Sequence, residues 1–308
     1  MNIYRSTDDI PPGIKPTAVT IGVFDGVHKG HQMLIRRVVE LARETGATPG
    51  VVTFDRHPLE VVAPGKEPAM ISTVEQRAEV LGGLGIEFVL VLTFDEQLRM
   101  LEPHEFVRQI LVDGLGVTHV VVGSNFRFGY HHAGTVATLH DLGAFEGFGV
   151  DIFSLLGGQD AISSTLIRRQ IAGGEVEVVA EELGRPFRLE GEVVRGAGRG
   201  KGLGVPTANL QISARMALPK LGVYAGWLTA AGRRRPAVVN VGLNPTFEDR
   251  SDPVVEVHVL DFDGDLYGKT VAIEFTHRLR DELKFDGPDP LVEQIRADIA
   301  QARALLGV

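Results

Sequence analysis

The chain has 308 residues, 44% hydrophobic and 23% charged, with no cysteine and a formal net charge of −9. That material suits one large or two medium globular domains. Absence of cysteine excludes disulfides and thiol chemistry and fits a cytoplasmic protein, and the acidic balance argues against a general nucleic-acid binder. The segment Met1–Asp9 lacks the apolar core of a signal peptide, and no apolar run approaches the roughly 18 residues of a membrane span. Neither a membrane nor a nucleic-acid partner is expected. Charge is unevenly placed, −10 over residues 1–184 and +1 over 185–308. Together with the local break Gly184-Arg-Pro186, this predicts a domain boundary near 184.

The first strand is read at Val19–Val23, a β-branched apolar run of the kind buried in parallel sheets. Asp25-Gly26 ends it with turn chemistry. Leu34, Val38, Leu41 and Ala42 then repeat at helical spacing to Gly46, which predicts a helix from about 31 to 45. His28 and His31 fall in the strand-to-helix turn, where free N–H groups and the helix dipole favour anions. Two imidazoles placed there can hydrogen-bond a phosphoryl group as its charge grows. Zinc is the rival reading of the pair, but it needs three or four ligands and the spacing demands no metal.

Further strands are predicted at Gly50–Phe54, Phe88–Thr93, His119–Gly123 and Val150–Phe153, with helices at about 73–82, 103–113 and 135–142. Ser72-Thr-Val-Glu75 has the form of a capping box at the second helix. This alternation implies a doubly wound parallel sheet, whose ligands bind beyond the carboxyl ends of its strands. His57 and Asn125 follow predicted strands and so belong to the same end as His28. Gly123-Ser-Asn-Phe-Arg-Phe-Gly129, with Phe126 and Phe128 among glycines, suits a loop that binds a planar ligand. Ser163, Ser164 and Thr165 open a further helix, where they serve as caps or, with Arg168, as polyphosphate contacts.

After residue 184 the period changes. Leu189–Val194, Val223–Thr229, Ala237–Val241, Val254–Phe262 and Thr270–Thr276 read as antiparallel strands of a small barrel. A terminal helix after Pro290 carries Leu291, Ile295, Ile299, Ala302 and Leu306 on one face. The glycine-rich basic run Arg195–Gly204 suits a phosphate nest or a flexible loop, and is neither a Walker loop nor a dinucleotide fingerprint. Glu256, a carboxylate on a mostly apolar strand, is either a structural partner or a base.

Gly22-Val-Phe-Asp-Gly-Val-His-Lys-Gly-His31-Gln32 resembles the His-x-Gly-His signature of nucleotidyltransferases, in the form found in bacterial bifunctional riboflavin kinase/FAD synthetases. Phe54-Asp-Arg-His57-Pro58 matches that family's second block except that Arg56 replaces the usual proline. Gly123–Gly129 and Ser163-Ser-Thr165 with Arg168 match two more blocks. Gly204-x-Pro-Thr-Ala-Asn209, Asn240-x-Gly-x-x-Pro-Thr-Phe247 and Glu256-x-His-x-x-Asp-Phe262 resemble the riboflavin kinase module. The similarity runs from about Ala18 to Ala304.

The resemblance implies an α/β protein: an N-terminal nucleotidyltransferase-type parallel sheet (1–184) and a C-terminal small antiparallel barrel with a terminal helix (185–308). The barrel would phosphorylate riboflavin with ATP to FMN, and the first domain would adenylylate FMN with a second ATP to FAD and pyrophosphate. Flavins are then substrates and products, with Mg2+ accompanying ATP. His28, His31 and Glu256 are the expected catalytic residues. Gly22, Phe24, Asp25, Ser164, Thr165, Arg168, Gly202, Thr207 and Asn209 would bind ATP, with Thr207 and Asn209 also holding the metal. His57, Asn125, Phe126 and Phe128 would face the flavin. Two rivals remain: another nucleotidyltransferase fused to an unrelated barrel, which leaves Pro206–Asn209 unexplained, and a non-catalytic flavin sensor, which should have lost Glu256 or a histidine.

Overall fold

The computed structural model describes residues 1–153, 162–196, 205–243 and 253–308. It divides into two compact units, Met1–Ser163 and Ser164–Val308.

The first unit holds six strands, β1 (Asn2–Tyr4), β2 (Thr17–Ile21), β3 (Thr48–Phe54), β4 (Phe88–Leu92), β5 (Val117–Gly123) and β6 (Gly149–Phe153). All pair in parallel, in the order β1-β4-β3-β2-β5-β6. Its helices are α1 (Lys29–Thr45), α2 (Leu59–Val62), α3 (Val74–Gly83), α4 (Glu96–Met100), α5 (Pro103–Phe106) and α6 (Val136–Glu146), with a π-helical stretch Val107–Gly114 continuing α5. Successive strand residues point to opposite faces. Val19, Ile21, Leu90, Val120 and Val122 pack with Leu111 and Leu139 on one side. Ala18, Val51, Val89, Val91 and Val121 pack with Leu34, Ile35, Val38 and Leu81 on the other. Both faces are buried, which is why these strands read as unbroken apolar runs.

Two local expectations shift, and one strand is unexpected. The first strand lies at Thr17–Ile21, two residues before its expected place, and beyond it Phe24 and Val27 take φ of +51° and +43° and leave the extended region. The expected capping box at Ser72 and Glu75 forms one residue later, between Thr73 and Gln76. Ser72 is unavailable as a cap: its hydroxyl donates to Asp25 Oδ1 (3.2 Å) and accepts from the Gly26 N–H (2.9 Å). The edge strand β1, only three residues long, carries no apolar pattern that a sequence reading could find.

The second unit begins with α7 (Ser164–Gly173) and α8 (Val176–Leu183). Six strands follow: β7 (Phe187–Val194), β8 (Ala208–Gln211), β9 (Gly222–Ala230), β10 (Arg233–Leu243), β11 (Pro253–Val259) and β12 (Thr270–Arg280). They close an antiparallel barrel in the order β10-β11-β8-β7-β12-β9. β8, four residues directly after Pro206-Thr207, escapes a sequence reading. α7 and α8 pack with the barrel: the Lys220 N–H donates to the Ile171 carbonyl (3.2 Å) and the Arg278 N–H to Glu177 Oε1 (2.9 Å). The terminal helix α9 (Pro288–Leu306) lays Ile299, Ala302 and Leu306 against Val223, Ala225 and Val238. Within that helix Asp298, 3% exposed, is gripped by Arg280 through Nε (2.9 Å) and Nη2 (2.8 Å).

Candidate functional site

The chain runs from β2 through β3 to β4 on one side and then crosses to β5 on the other side of β2. The sheet therefore switches direction between β2 and β5, and ligands of such sheets enter beside the carboxyl ends of strands at that point. The loop Gly22–His28 follows β2 and the loop Ser124–Gly129 follows β5, on neighbouring strands.

His28 is the N-cap of α1; its Nδ1 accepts the His31 backbone N–H (3.4 Å). An acceptor Nδ1 leaves the proton of the neutral ring on Nε2, so His28 offers an Nε2–H donor. The His28 and His31 rings stack with centroids 3.6 Å apart and planes inclined by 20°. The edge of Phe24 meets His31 at 5.1 Å. Burial lowers His28 from 6.5 to about 4 against a smaller opposing pull from Asp25. Burial and then the neighbouring His28 hold His31 well below its ordinary value. Both imidazoles are neutral near pH 7, so each carries one N–H able to donate and no charge. His31 Nδ1 is buried and has no hydrogen-bond partner among the described residues.

Asp25, expected at ATP, is 1% exposed. Its Oδ1 accepts the N–H groups of Ile71 and Ser72, both at 3.0 Å. It ties the signature loop to the segment before α3. Phe24, also expected at ATP, is 4% exposed with its ring in the core. A Cβ at Gly22 would meet that ring at 3.1 Å, so glycine there lets the phenyl group fold back over the strand end.

His57 sits just before the short α2, whose N-cap is Pro58: its Nδ1 accepts the Leu59 N–H (3.2 Å) while its own backbone N–H donates to Glu60 Oε1 (3.2 Å). Arg56, standing where the resembling family has proline, closes on Asp55 through Nη2 at 2.9 Å. Burial pushes the Asp55 carboxyl up, but Arg56 and the Phe94 N–H outweigh it and hold the group below its ordinary value. Asn125 is exposed and Phe126 half-buried. Phe128, expected at the flavin, is instead a core residue, 7% exposed, stacked 5.5 Å behind Phe126 and tilted against Phe106. Ser164, Thr165 and Arg168 open α7, the first helix of the second unit; Thr165 is exposed and the other two half-buried.

In the barrel, Asn209 of β8, Glu256 of β11 and Asn240 of β10 are direct cross-strand partners. Their strand neighbours Leu210, Val255, Val257, Val239 and Val241 are buried. Alternation therefore puts the three polar side chains together in one row on the outer face. Glu256 is half-buried there, not enclosed. A Cβ on Gly196 would lie 2.1 Å from Asn209 Nδ2, so the bare glycine makes room for that amide. His258, two residues beyond Glu256, hydrogen-bonds the Pro206 carbonyl through Nδ1 (2.8 Å), which fixes the start of Pro206–Asn209. The Glu-x-His spacing carried that signal, since alternate strand residues share a face. Gly202, the rest of the run 197–204, and Pro245, Thr246 and Phe247 lie outside the described residues.

A family model described as FAD synthetase matches residues 11–166 and one described as riboflavin kinase matches 183–306. Curated relatives named bifunctional riboflavin kinase/FMN adenylyltransferase include that of Pseudomonas fluorescens, 39% identical over 99% of this chain and 98% of that one. The Bacillus subtilis (strain 168) relative is 36% identical over 93% of this chain and 91% of its own length. A solved structure described as a macrolide-efflux protein from Streptococcus pneumoniae matches with a TM-score of 0.86 at 32% identity, covering 98% of each chain. The name of that protein speaks of efflux, whereas both family models and the curated relatives here are those of flavin enzymes. Among the described residues no helix is long and apolar enough to cross a membrane. The chain belongs to the bifunctional riboflavin kinase/FMN adenylyltransferase family, making FMN from riboflavin and ATP, and FAD from FMN and a second ATP.

Proposed function

We propose that residues 1–184 carry adenylyl transfer and residues 185–308 carry riboflavin phosphorylation, in a cytoplasmic enzyme. The observation behind this reading is that the two sets of catalytic candidates fall in different compact units. The stacked His28–His31 pair lies in the first, and the row Asn209–Glu256–Asn240 in the second.

In the first reaction centre His28 and His31 donate to the α-phosphoryl oxygens as negative charge builds there, which is where a preorganised donor is most effective. Ser164, Thr165 and Arg168 bind the ATP phosphates. Gly22 and Phe24 contribute backbone to the nucleotide, and Asp25 acts through the loop it holds. His57, Asn125 and Phe126 meet the flavin, with Phe128 supporting Phe126 from behind.

In the second, Glu256 accepts the proton of the ribityl hydroxyl that attacks the γ-phosphoryl group, and Thr207, Asn209 and Gly202 bind ATP. The hydroxyl of Thr207 and the amide oxygen of Asn209 are hard oxygen donors of the kind Mg2+ takes while keeping waters and phosphate ligands. The space over Gly196 fits such an amide. When bound, the ion would neutralise phosphate charge.

The test is a pair of full-length variants assayed for both steps. His28→Ala should lose FAD formation from FMN by about 10²–10³ while riboflavin phosphorylation stays. Glu256→Gln should do the reverse. A folded variant of either kind that loses both activities together would refute the division.

A further inference from the structure

Arg77 is the largest fully buried side chain of the described residues, 1% exposed. It occupies the first turn of α3, where the helix dipole disfavours a cation. Among the described residues it has no ion-pair partner. Its guanidinium donates only to oxygens at the ends of structural elements: Nη1 to the Val23 carbonyl (2.5 Å) and to Thr53 Oγ1 (3.0 Å), Nη2 to the Phe54 carbonyl (3.2 Å), and Nε to the Thr73 carbonyl (3.4 Å).

Asp25, Glu75 and Asp55 act on the guanidinium only from a distance and do not outweigh its burial. Burying a guanidinium without a direct carboxylate contact is a poor way to stabilise a core, since apolar side chains of similar volume often serve as well or better. What the fork does supply is geometry. Val23 opens the loop that carries Phe24, Asp25 and His28, and Phe54 opens the loop that carries His57. One rigid, planar group with fixed donor directions spans the carboxyl ends of β2 and β3. The same loop is tied a second time by Asp25 to Ile71 and Ser72, only a few residues before Arg77. Phe24, between these two ties, and Val27, just beyond them, are held at positive φ, a conformation that persists only where its surroundings impose it.

We propose that Arg77 is a positioning residue for adenylyl transfer, its guanidinium fixing the carbonyls of Val23 and Phe54 so that His28 and His31 meet the reacting phosphoryl group in register. The inference rests on reading those two histidines as the donors of that step. Misplacement of a catalytic group by about 1 Å costs on the order of 10²-fold in rate. The effect should therefore appear in kcat and not in substrate affinity.

The experiment uses the full chain with Arg77→Lys, which keeps the charge and loses the fork, and Arg77→Met, which fills a similar volume without donors. A third variant, Thr53→Val, removes one acceptor of Nη1 together with the hydroxyl's own bond to the Val23 carbonyl (3.1 Å). FAD formation from supplied FMN gives kcat and both KM values; FMN formation from riboflavin reports the second unit separately. Expected for Arg77→Lys is a kcat for FAD formation lower by about 10–100-fold, KM for ATP and FMN within about threefold, and unchanged riboflavin phosphorylation. Thr53→Val should shift kcat the same way by less, with a normal thermal melt. An Arg77→Lys protein with parental kcat, or with raised KM and parental kcat, overturns the proposal. If Arg77→Lys does not fold, Arg77→Met decides: parental kcat overturns the proposal and a reduced kcat with parental KM in a stable protein supports it. His28→Ala and His31→Ala, run beside these, separate the two readings. If they keep FAD formation, the histidine assignment fails; if they lose it while Arg77→Lys does not, only the positioning role fails.

Discussion

His28 and His31 lie face to face with ring centroids 3.6 Å apart, and the Nδ1 of the first accepts the backbone N–H of the second. Neither ring is charged near neutral pH: burial takes His28 to about 4 and holds His31 well below its ordinary value. Stacking at this distance is compatible with two neutral rings and is opposed by two cations.

Acid sensitivity follows. A histidine whose folded value lies below its unfolded one binds its proton more readily in the unfolded chain, so stability rises with pH between the two values. For His28 the contribution is complete above 6.5 and is lost progressively as pH falls toward about 4, amounting to roughly 3 kcal/mol at the acid end. Denaturant melts of the parent and of His28→Gln between pH 7.5 and 5 should show the parent losing more stability on acidification. NMR titration of the His28 ring with a midpoint near 6.5 would refute the assignment.

Gly196→Ala should act on the kinase alone. Its Cβ would fall 2.1 Å from Asn209 Nδ2, and neither group can occupy that space together with the other. The expected result is a marked fall in FMN formation with FAD formation from FMN retained. Equal activities in parent and variant would show that Asn209 is not needed in this position.

Glu256→Gln preserves shape and hydrogen bonding but cannot accept the ribityl proton. Loss of a general base is worth about 10²–10⁴-fold, so kcat for riboflavin phosphorylation should drop by that order with riboflavin affinity little changed. If Glu256 is structural, the loss should appear instead as about 1–3 kcal/mol of stability in a thermal or denaturant melt.

Asp298→Ala tests the attachment of the terminal helix. It would leave the Arg280 guanidinium without its buried partner, a loss that typically costs about 3–5 kcal/mol. Melts should show the second unit destabilised. A shift under about 1 kcal/mol would mean that Arg280 finds water or Asp281 at little cost.

Hydrophobic pattern alone determined the two architectures. Short unbroken runs such as Phe88–Leu92, alternating with helical segments, suit a sheet covered on both faces, and the alternation in Val255-Glu-Val257 assigns each side chain to one side of a barrel wall. The repeat of Leu34, Val38, Leu41 and Ala42 likewise located α1, and with it the strand-to-helix turn that holds His28 and His31. Other facts depend on what lies across the fold. Whether Ser72 or Thr73 caps α3 is settled by Asp25, 47 residues away in sequence, which claims the Ser72 N–H and hydroxyl. Phe126 and Phe128 look alike along the chain, and only the packing of Phe106 puts the second in the core. Nothing along the chain singles out Arg77; only the folded chain brings the carbonyls of Val23 and Phe54, from the ends of β2 and β3, to its guanidinium. Periodicity reports which face is apolar, because burial acts on each residue through its own transfer free energy. Hydrogen-bond partners distant in sequence are chosen by competition among groups that only the folded chain brings together.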